Sequence, residues 1–252
     1  MVPGATSAIE KGPWHYGADY ASVYFQGDPE AMGSLLPPHF KVAGGEGVAY
    51  VCDIVSVSDG EPGMVARQPD RTVYQEAALG VRCSLAGKAG VFYPVMWVST
   101  EWALLRGLLN GYQKRLADKI ALTRIHPLNP RLTPLGPGSE LGGFCVKGGA
   151  RTLSVSLRLS RQGSSSDLPS FGATFGLRAF PATDPSQEEV FEPVEIMKSN
   201  SRVSNVWLGG GEFESSLELG ETAVTSAAAY MAGFTISGSR ALDPGERLTR
   251  QE

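Results

Sequence analysis

Residues 90–116 read GVFYPVMWVSTEWALLRGLLNGYQKRL. Gly90 to Val98 is strongly apolar and aromatic, the mark of a buried strand, and Pro94 inside it points to a bulge or a sheet edge. Thr100 to Asn110 then changes period. Trp102, Leu105 and Leu109 are spaced for one buried helical face. Ser99 or Thr100 can cap the start, and Glu101 suits the positive end of the helix dipole. Asn110-Gly111 supplies the left-handed residue that ends a helix. If 100–116 were one unbroken helix, Lys114 would point into water. A break at Asn110-Gly111 resets the phase and lets it turn inward, and pattern alone leaves both options open.

Lys114 matters because lysine is scarce: the chain has 7 lysines against 15 arginines. An amine is nucleophilic only without its extra proton. Burial among apolar groups disfavours the ammonium, and so does an adjacent cation such as Arg115. Acetoacetate decarboxylase is a known example of a lysine activated in this way.

Outward from this segment the chain is rich in short strands. Tyr20 to Phe25, Thr72 to Cys83, Phe175 to Phe180, Val190 to Ser199, Arg202 to Leu208, Glu212 to Leu219 and Gly233 to Ser237 all carry strand character. Thr152 to Leu159 alternates cleanly, with Leu153, Val155, Leu157 and Leu159 on one face. Gly47 to Val57 is nearly continuous in apolar residues, as in a strand buried on both faces. A second helix is expected at Pro29 to Leu36, with Asp28 as N-cap and Pro29 at its first position. About ten short strands with glycine-rich turns predict a mainly β, antiparallel barrel or sandwich in one domain over residues 1–252, with frayed ends near 1–12 and 243–252.

Composition sets limits on function. Hydrophobic residues are 42% and charged residues 19%, so the chain can bury a core. A net charge of −4 would repel nucleic acid and anionic membrane, so neither is expected as a partner. No apolar run is long enough to cross a bilayer, and Met1-Val2-Pro3-Gly4 lacks the features of a signal peptide. Cys52, Cys83 and Cys145 are odd in number and scattered, which predicts free thiols and a cytoplasmic location. With His15, His39 and His126 they form no metal-ligand spacing, so neither metal nor other cofactor is expected.

Tyr112-Gln113-Lys114-Arg115 resembles the Tyr-Pro-Lys-Lys segment of the acetoacetate decarboxylase family, whose first lysine forms a Schiff base and whose second helps lower its pKa. Tyr74-Gln75-Glu76-Ala77 is similar to the family's Tyr-x-Glu segment, and Phe92-Tyr93-Pro94-Val95-Met96 to the strand before the catalytic helix. Val23-Tyr24 with Leu35-Leu36-Pro37 resembles its N-terminal elements. Phe175-Gly176-Leu177-Arg178 and Val206-Trp207-Leu208-Gly209-Gly210 resemble its late strands. The likeness spans roughly residues 14–240. It implies a closed, cone-like antiparallel β-barrel with the lysine inside, flanking strands, a few short helices and assembly as a homo-oligomer.

On that resemblance Lys114 is the nucleophile, Glu76 the acid/base group and Arg115 the tuning cation. Asp53 matches a second family carboxylate, and Tyr112 is a hydrogen-bond donor or packing residue. Three features depart from the pattern. Gln113 replaces proline, Arg106-Gly107-Leu108 replaces Gly-Arg-Glu, and Tyr16-Gly17-Ala18 stands where the family's carboxylate-gripping arginine lies. Arg82 or His15 could substitute. The resemblance therefore implies a Schiff-base-forming lyase of decarboxylase or aldolase/dehydratase type. Its keto substrate is expected to be larger and more apolar than acetoacetate, with a fold-level expectation of secondary metabolism. Two alternatives remain: acid/base isomerase or cyclase chemistry without an imine, and a non-catalytic small-molecule binding barrel.

Overall fold

The computed structural model describes residues 9–242. The strands are β1 (Trp14–Gln26), β2 (Lys41–Ser58), β3 (Val73–Leu85), β4 (Lys88–Val98), β5 (Lys114–Leu116), β6 (Lys119–Leu122), β7 (Glu140–Lys147), β8 (Ala150–Gln162), β9 (Ala173–Phe180), β10 (Val190–Ser215) and β11 (Ala223–Ala241). Three α-helices, α1 (Pro29–Ser34), α2 (Met64–Arg67) and α3 (Glu101–Asn110), punctuate them. Asp28 caps α1, its Oδ1 accepting from the Ala31 N–H at 2.8 Å. Thr100 occupies the N-cap position of α3 in extended conformation but makes no side-chain cap bond, while the Ser99 hydroxyl accepts from the Gln75 N–H.

The strands form one hydrogen-bonded sheet whose path closes on itself. β11, β1, β2, β3, β4, β9 and β10 follow one another, and β10 pairs back with β11. The ring is antiparallel except at β4–β9, and β5 also joins β4 in parallel. Past this ring β10 continues to β8, β7 and β6, which fold over the outside of the wall. β10 can serve three neighbours because it is 26 residues long and shifts register three times against β11. The sequence pattern breaks this one strand into three pieces.

Because side chains alternate along a strand, the wall β1–β2–β3 has two buried faces. Ala21, Val23, Val51, Ala77 and Leu79 pack outward against Leu153, Val155 and Leu157 of β8. Ala18, Tyr50, Cys52, Ile54, Tyr74 and Ala78 face inward with Trp102 and Ala103 of α3. The unbroken apolar run in β2 reflects burial on both sides. Cys52, Cys83 and Cys145 are free and buried. The fraying expected over residues 1–12 is not seen at Glu10, whose carboxylate pairs with Arg71 at 2.6 Å; for residues 1–8 and 243–252 the expectation lies outside the described residues.

α3 buries a different stripe from the one its leucines predict. Trp102, Ala103, Arg106 and Gly107 are buried, while Leu105 and Leu109 are 41% and 56% exposed. The ring interior is lined by aromatic groups, and Arg106 lies against Trp14 and Trp102 there.

Candidate active site

α3 ends at Gly111, whose φ of 97° is a left-handed conformation that L side chains resist. The reversal sends Tyr112 and Lys114 back along β4, with Lys114 opposite Met96 in β5. Alternation in β5 then turns Lys114 inward and Arg115 outward. The Lys114 stem lies across Gly107 of α3, where an added β-carbon would overlap its Cγ, Cδ and Cε atoms.

Lys114 Nζ donates to Glu76 Oε2 at 2.7 Å, and the Tyr50 hydroxyl donates to Glu76 Oε1 at 2.7 Å. Lys114 and Glu76 are only 9% and 4% exposed, so this pair is enclosed by protein. The Lys114 ammonium also lies 5.2 Å from the Tyr74 ring centroid and 5.6 Å from that of Tyr112. The group opens onto a cavity of about 420 Å³ inside the ring, within the usual range for small-molecule sites.

All eight tyrosines of the chain line this cavity: Tyr16, Tyr20, Tyr24, Tyr50, Tyr74, Tyr93, Tyr112 and Tyr230. Tyr16, Tyr20 and Tyr24 share one face of β1 by their even spacing, and the other five come from separate segments of the chain. The bulge at Tyr93–Pro94, where β3 and β4 slip register, aims Tyr93 inward opposite Gly80. Burial pushes the Tyr16 phenol up to about 12 and raises those of Tyr50 and Tyr74, which the Glu76 charge raises further. These phenols therefore stay protonated at neutral pH, as neutral hydrogen-bonding groups.

Arg106 is a site residue that the sequence pattern does not flag. It is 3% exposed and lies 3.9 Å from the Trp14 ring centroid, 4.9 Å from Trp102 and 5.2 Å from Tyr16. Its Nη2 donates to Ser56 at 3.2 Å, and its buried Nη1 has no hydrogen-bond partner. It lines the cavity, whereas Arg82 and His15, the substitutes expected for the family's arginine, do not. Lys198 of β10 also lines the cavity.

The other expected site residues lie elsewhere. Arg115 is exposed because strand alternation takes its side chain away from Lys114. Asp53 accepts from Gln75 Nε2 at 2.9 Å and Arg124 Nε at 2.8 Å and does not line the cavity. Arg82 pairs with Glu46, past the register shift in β3. His15 sits between Thr235 Oγ1 at 3.0 Å and Asp59 Oδ1 at 2.8 Å. Lys114, Glu76 and Tyr112 are thus brought together, and Arg115, Asp53, Arg82 and His15 are not. Among the described residues no group of three or more His, Cys, Asp or Glu is placed to hold a metal, and no helix is long and apolar enough to cross a membrane.

Comparison with known proteins gives a consistent result. The family model described as acetoacetate decarboxylase matches residues 2–232. An acetoacetate decarboxylase-like enzyme from Sphingomonas wittichii RW1 is 36% identical, with a TM-score of 0.90 over 96% of this chain and 97% of that one. The enduracididine biosynthesis enzyme MppR, solved with pyruvate, is 22% identical, with a TM-score of 0.84 over 98% of this chain and 96% of that one. Acetoacetate decarboxylase from Legionella pneumophila is 15% identical, with a TM-score of 0.75 over 96% of this chain and 92% of that one. No curated protein matches the sequence.

Proposed function

The chain belongs to the acetoacetate decarboxylase family, and on that premise we propose that it is a Schiff-base-forming lyase acting on a keto acid larger than acetoacetate. The observation that carries this reading is the enclosed Lys114–Glu76 pair at 2.7 Å, opening onto the cavity. Glu76 Oε2 is positioned to take a proton from the Lys114 ammonium, while Tyr50 holds the other carboxylate oxygen in place. The freed nitrogen bonds to the keto carbon. The carbonyl oxygen gains protons and leaves as water, and the nitrogen ends as a positively charged imine. A bond on the adjacent carbon can then break, its electron pair moving to that nitrogen. If the bond leads to a carboxylate, carbon dioxide departs; if it leads to hydrogen, Glu76 takes the proton. Both routes give an enamine, which takes up a proton or attacks an electrophile.

Arg106 is suited to hold the substrate carboxylate, because its unpartnered buried Nη1 lacks an acceptor that an anion would supply. The tyrosine lining leaves room for a larger remainder than a methyl ketone. That MppR was solved with pyruvate supports including pyruvate among the probes.

The test is borohydride reduction in the presence of 2-oxo and 3-oxo acids, read by intact and peptide mass. Reduction should fix substrate mass on Lys114, and Lys114→Ala should abolish the adduct. Absence of an adduct with every keto acid tried would sink the imine. Activity that survives Lys114→Ala but dies with Glu76→Gln would instead favour acid/base chemistry.

A further inference from the structure

We propose that the keto acid turned over here carries an uncharged, oxygen-rich remainder, held by the hydroxyls of Tyr16, Tyr20, Tyr74, Tyr93 and Tyr112. The inference deepens the Schiff-base reading and rests on it for the keto group alone. Three of the tyrosines in the cavity have protein partners for their hydroxyls. Tyr50 donates to Glu76, and Tyr230 bonds to Ser22 and Tyr24. Among the described residues the other five hydroxyls have no hydrogen-bond partner in the protein. Nor are they sealed into the packing. The buried side-chain atoms without a partner are Arg82 Nε, Thr100 Oγ1 and Arg106 Nη1, and no phenol oxygen is among them. Five neutral hydroxyls therefore face the open chamber. Tyr74 and Tyr112 do so although only 3% and 8% exposed.

Charge points the same way. Lys114 pairs with Glu76, and Arg106 is the group suited to the substrate's own carboxylate. Lys198 and Arg202, the other cations at the cavity, are exposed and meet solvent. Among the described residues no enclosed cation is left over for a second ionised group. Burial raises all five phenols, so they keep their protons and can both donate and accept at neutral pH.

The rings are packed so that rims and hydroxyls are more available than faces. Tyr16 stacks on Phe234 at 4.9 Å and Tyr20 on Tyr230 at 5.0 Å. Tyr50 meets Tyr20 and Tyr93 in T-shaped contacts at 5.2 and 5.9 Å, which sets those two one ring beyond the Glu76 contact. A hydrocarbon filling this space would displace water from the phenols without replacing its hydrogen bonds, and that loses affinity. Hydroxyl or carbonyl oxygens on the substrate would replace them. A site built on such bonds rejects an analogue lacking the oxygen far more strongly than an apolar pocket rejects a missing methylene. The proposed remainder is thus more polar than the one expected from the sequence.

Gluconate and hexanoate test the idea without imine formation, since neither has a keto group. Both are six-carbon monocarboxylates, and only gluconate carries hydroxyls along its chain. By calorimetry the wild-type protein should bind gluconate about tenfold or more tighter than hexanoate, the scale of two net hydrogen bonds. An apolar chamber would reverse the order, because each buried methylene favours hexanoate. Tyr20→Phe combined with Tyr93→Phe keeps both rings, removes two hydroxyls and should cut the preference about tenfold. Should the double variant not fold by circular dichroism, Tyr93→Phe alone should cut it about threefold. Equal or reversed affinity, no detectable gluconate binding, or a preference untouched by the phenylalanine variants overturns the proposal. A hydroxyl-dependent preference for gluconate with no borohydride adduct from any keto acid would sink the imine and leave the phenol site standing. Adducts on Lys114 together with a preference for hexanoate would do the reverse.

Discussion

At Gly107 the helix α3 has no side chain, and the stem of Lys114 passes through the space that one would fill. Glycine is disfavoured inside a helix by roughly 0.5–1 kcal/mol relative to alanine, so its presence at this point is tied to the lysine. Gly107→Ala should raise intrinsic helix stability but push Lys114 off Glu76. The expected readout is a loss of borohydride trapping at Lys114 in a protein that remains folded by circular dichroism. Arg106 makes a related point. Its buried guanidinium is held by aromatic faces rather than by a carboxylate, an arrangement that leaves it free for an anionic ligand. Lys114 could be singled out from sequence by its scarcity and its motif. Arg106 could not, because an arginine in a leucine-rich helix reads as a surface group.

Two elements decide how the site is presented. The first is the break between α3 and β5. Gly111 has a φ of 97°, and a β-carbon there would overlap Val194 Cγ2. Gly111→Ala should therefore cost about 1–3 kcal/mol through backbone strain, measured as a shift in the chemical-denaturation midpoint, with trapping at Lys114 reduced. The second is β5 itself. Alternation puts Lys114 and Arg115 on opposite faces, so Arg115→Ala should leave trapping unchanged, against the expectation drawn from the family's paired lysines. β11 shows why element boundaries were only partly legible. Its alanine-rich stretch from Ala227 to Ala229 has weak strand propensity, yet it is central in the sheet because both β1 and β10 pair with it.

At the scale of the whole molecule, the wall β1–β2–β3 divides two interiors with different tasks. The outer core against β7 and β8 is apolar and holds the fold. The inner face carries Glu76, Cys52 and tyrosines and forms the cavity. This separation predicts that stability and chemistry can be moved independently. Leu153 is fully buried in the outer core. Leu153→Ala should cost about 2–5 kcal/mol, seen as a lower unfolding midpoint, while the folded fraction still traps keto acid at Lys114.

The amino-acid sequence by itself determined the strand-rich class, the helix between β4 and β5 with its glycine stop, and, through the family resemblance, the choice of Lys114 and Glu76 as candidate site residues. Those features are carried by local period, local turn chemistry and two short motifs. Only the tertiary structure decided what surrounds that pair. Ring closure through β10 and β11 collects eight tyrosines, Arg106 and Lys198 from seven elements spread over the chain. The same closure excludes Arg115, Asp53, Arg82 and His15. Which face of a strand or helix turns inward depends on register and on partners far away in sequence, and no local pattern encodes those.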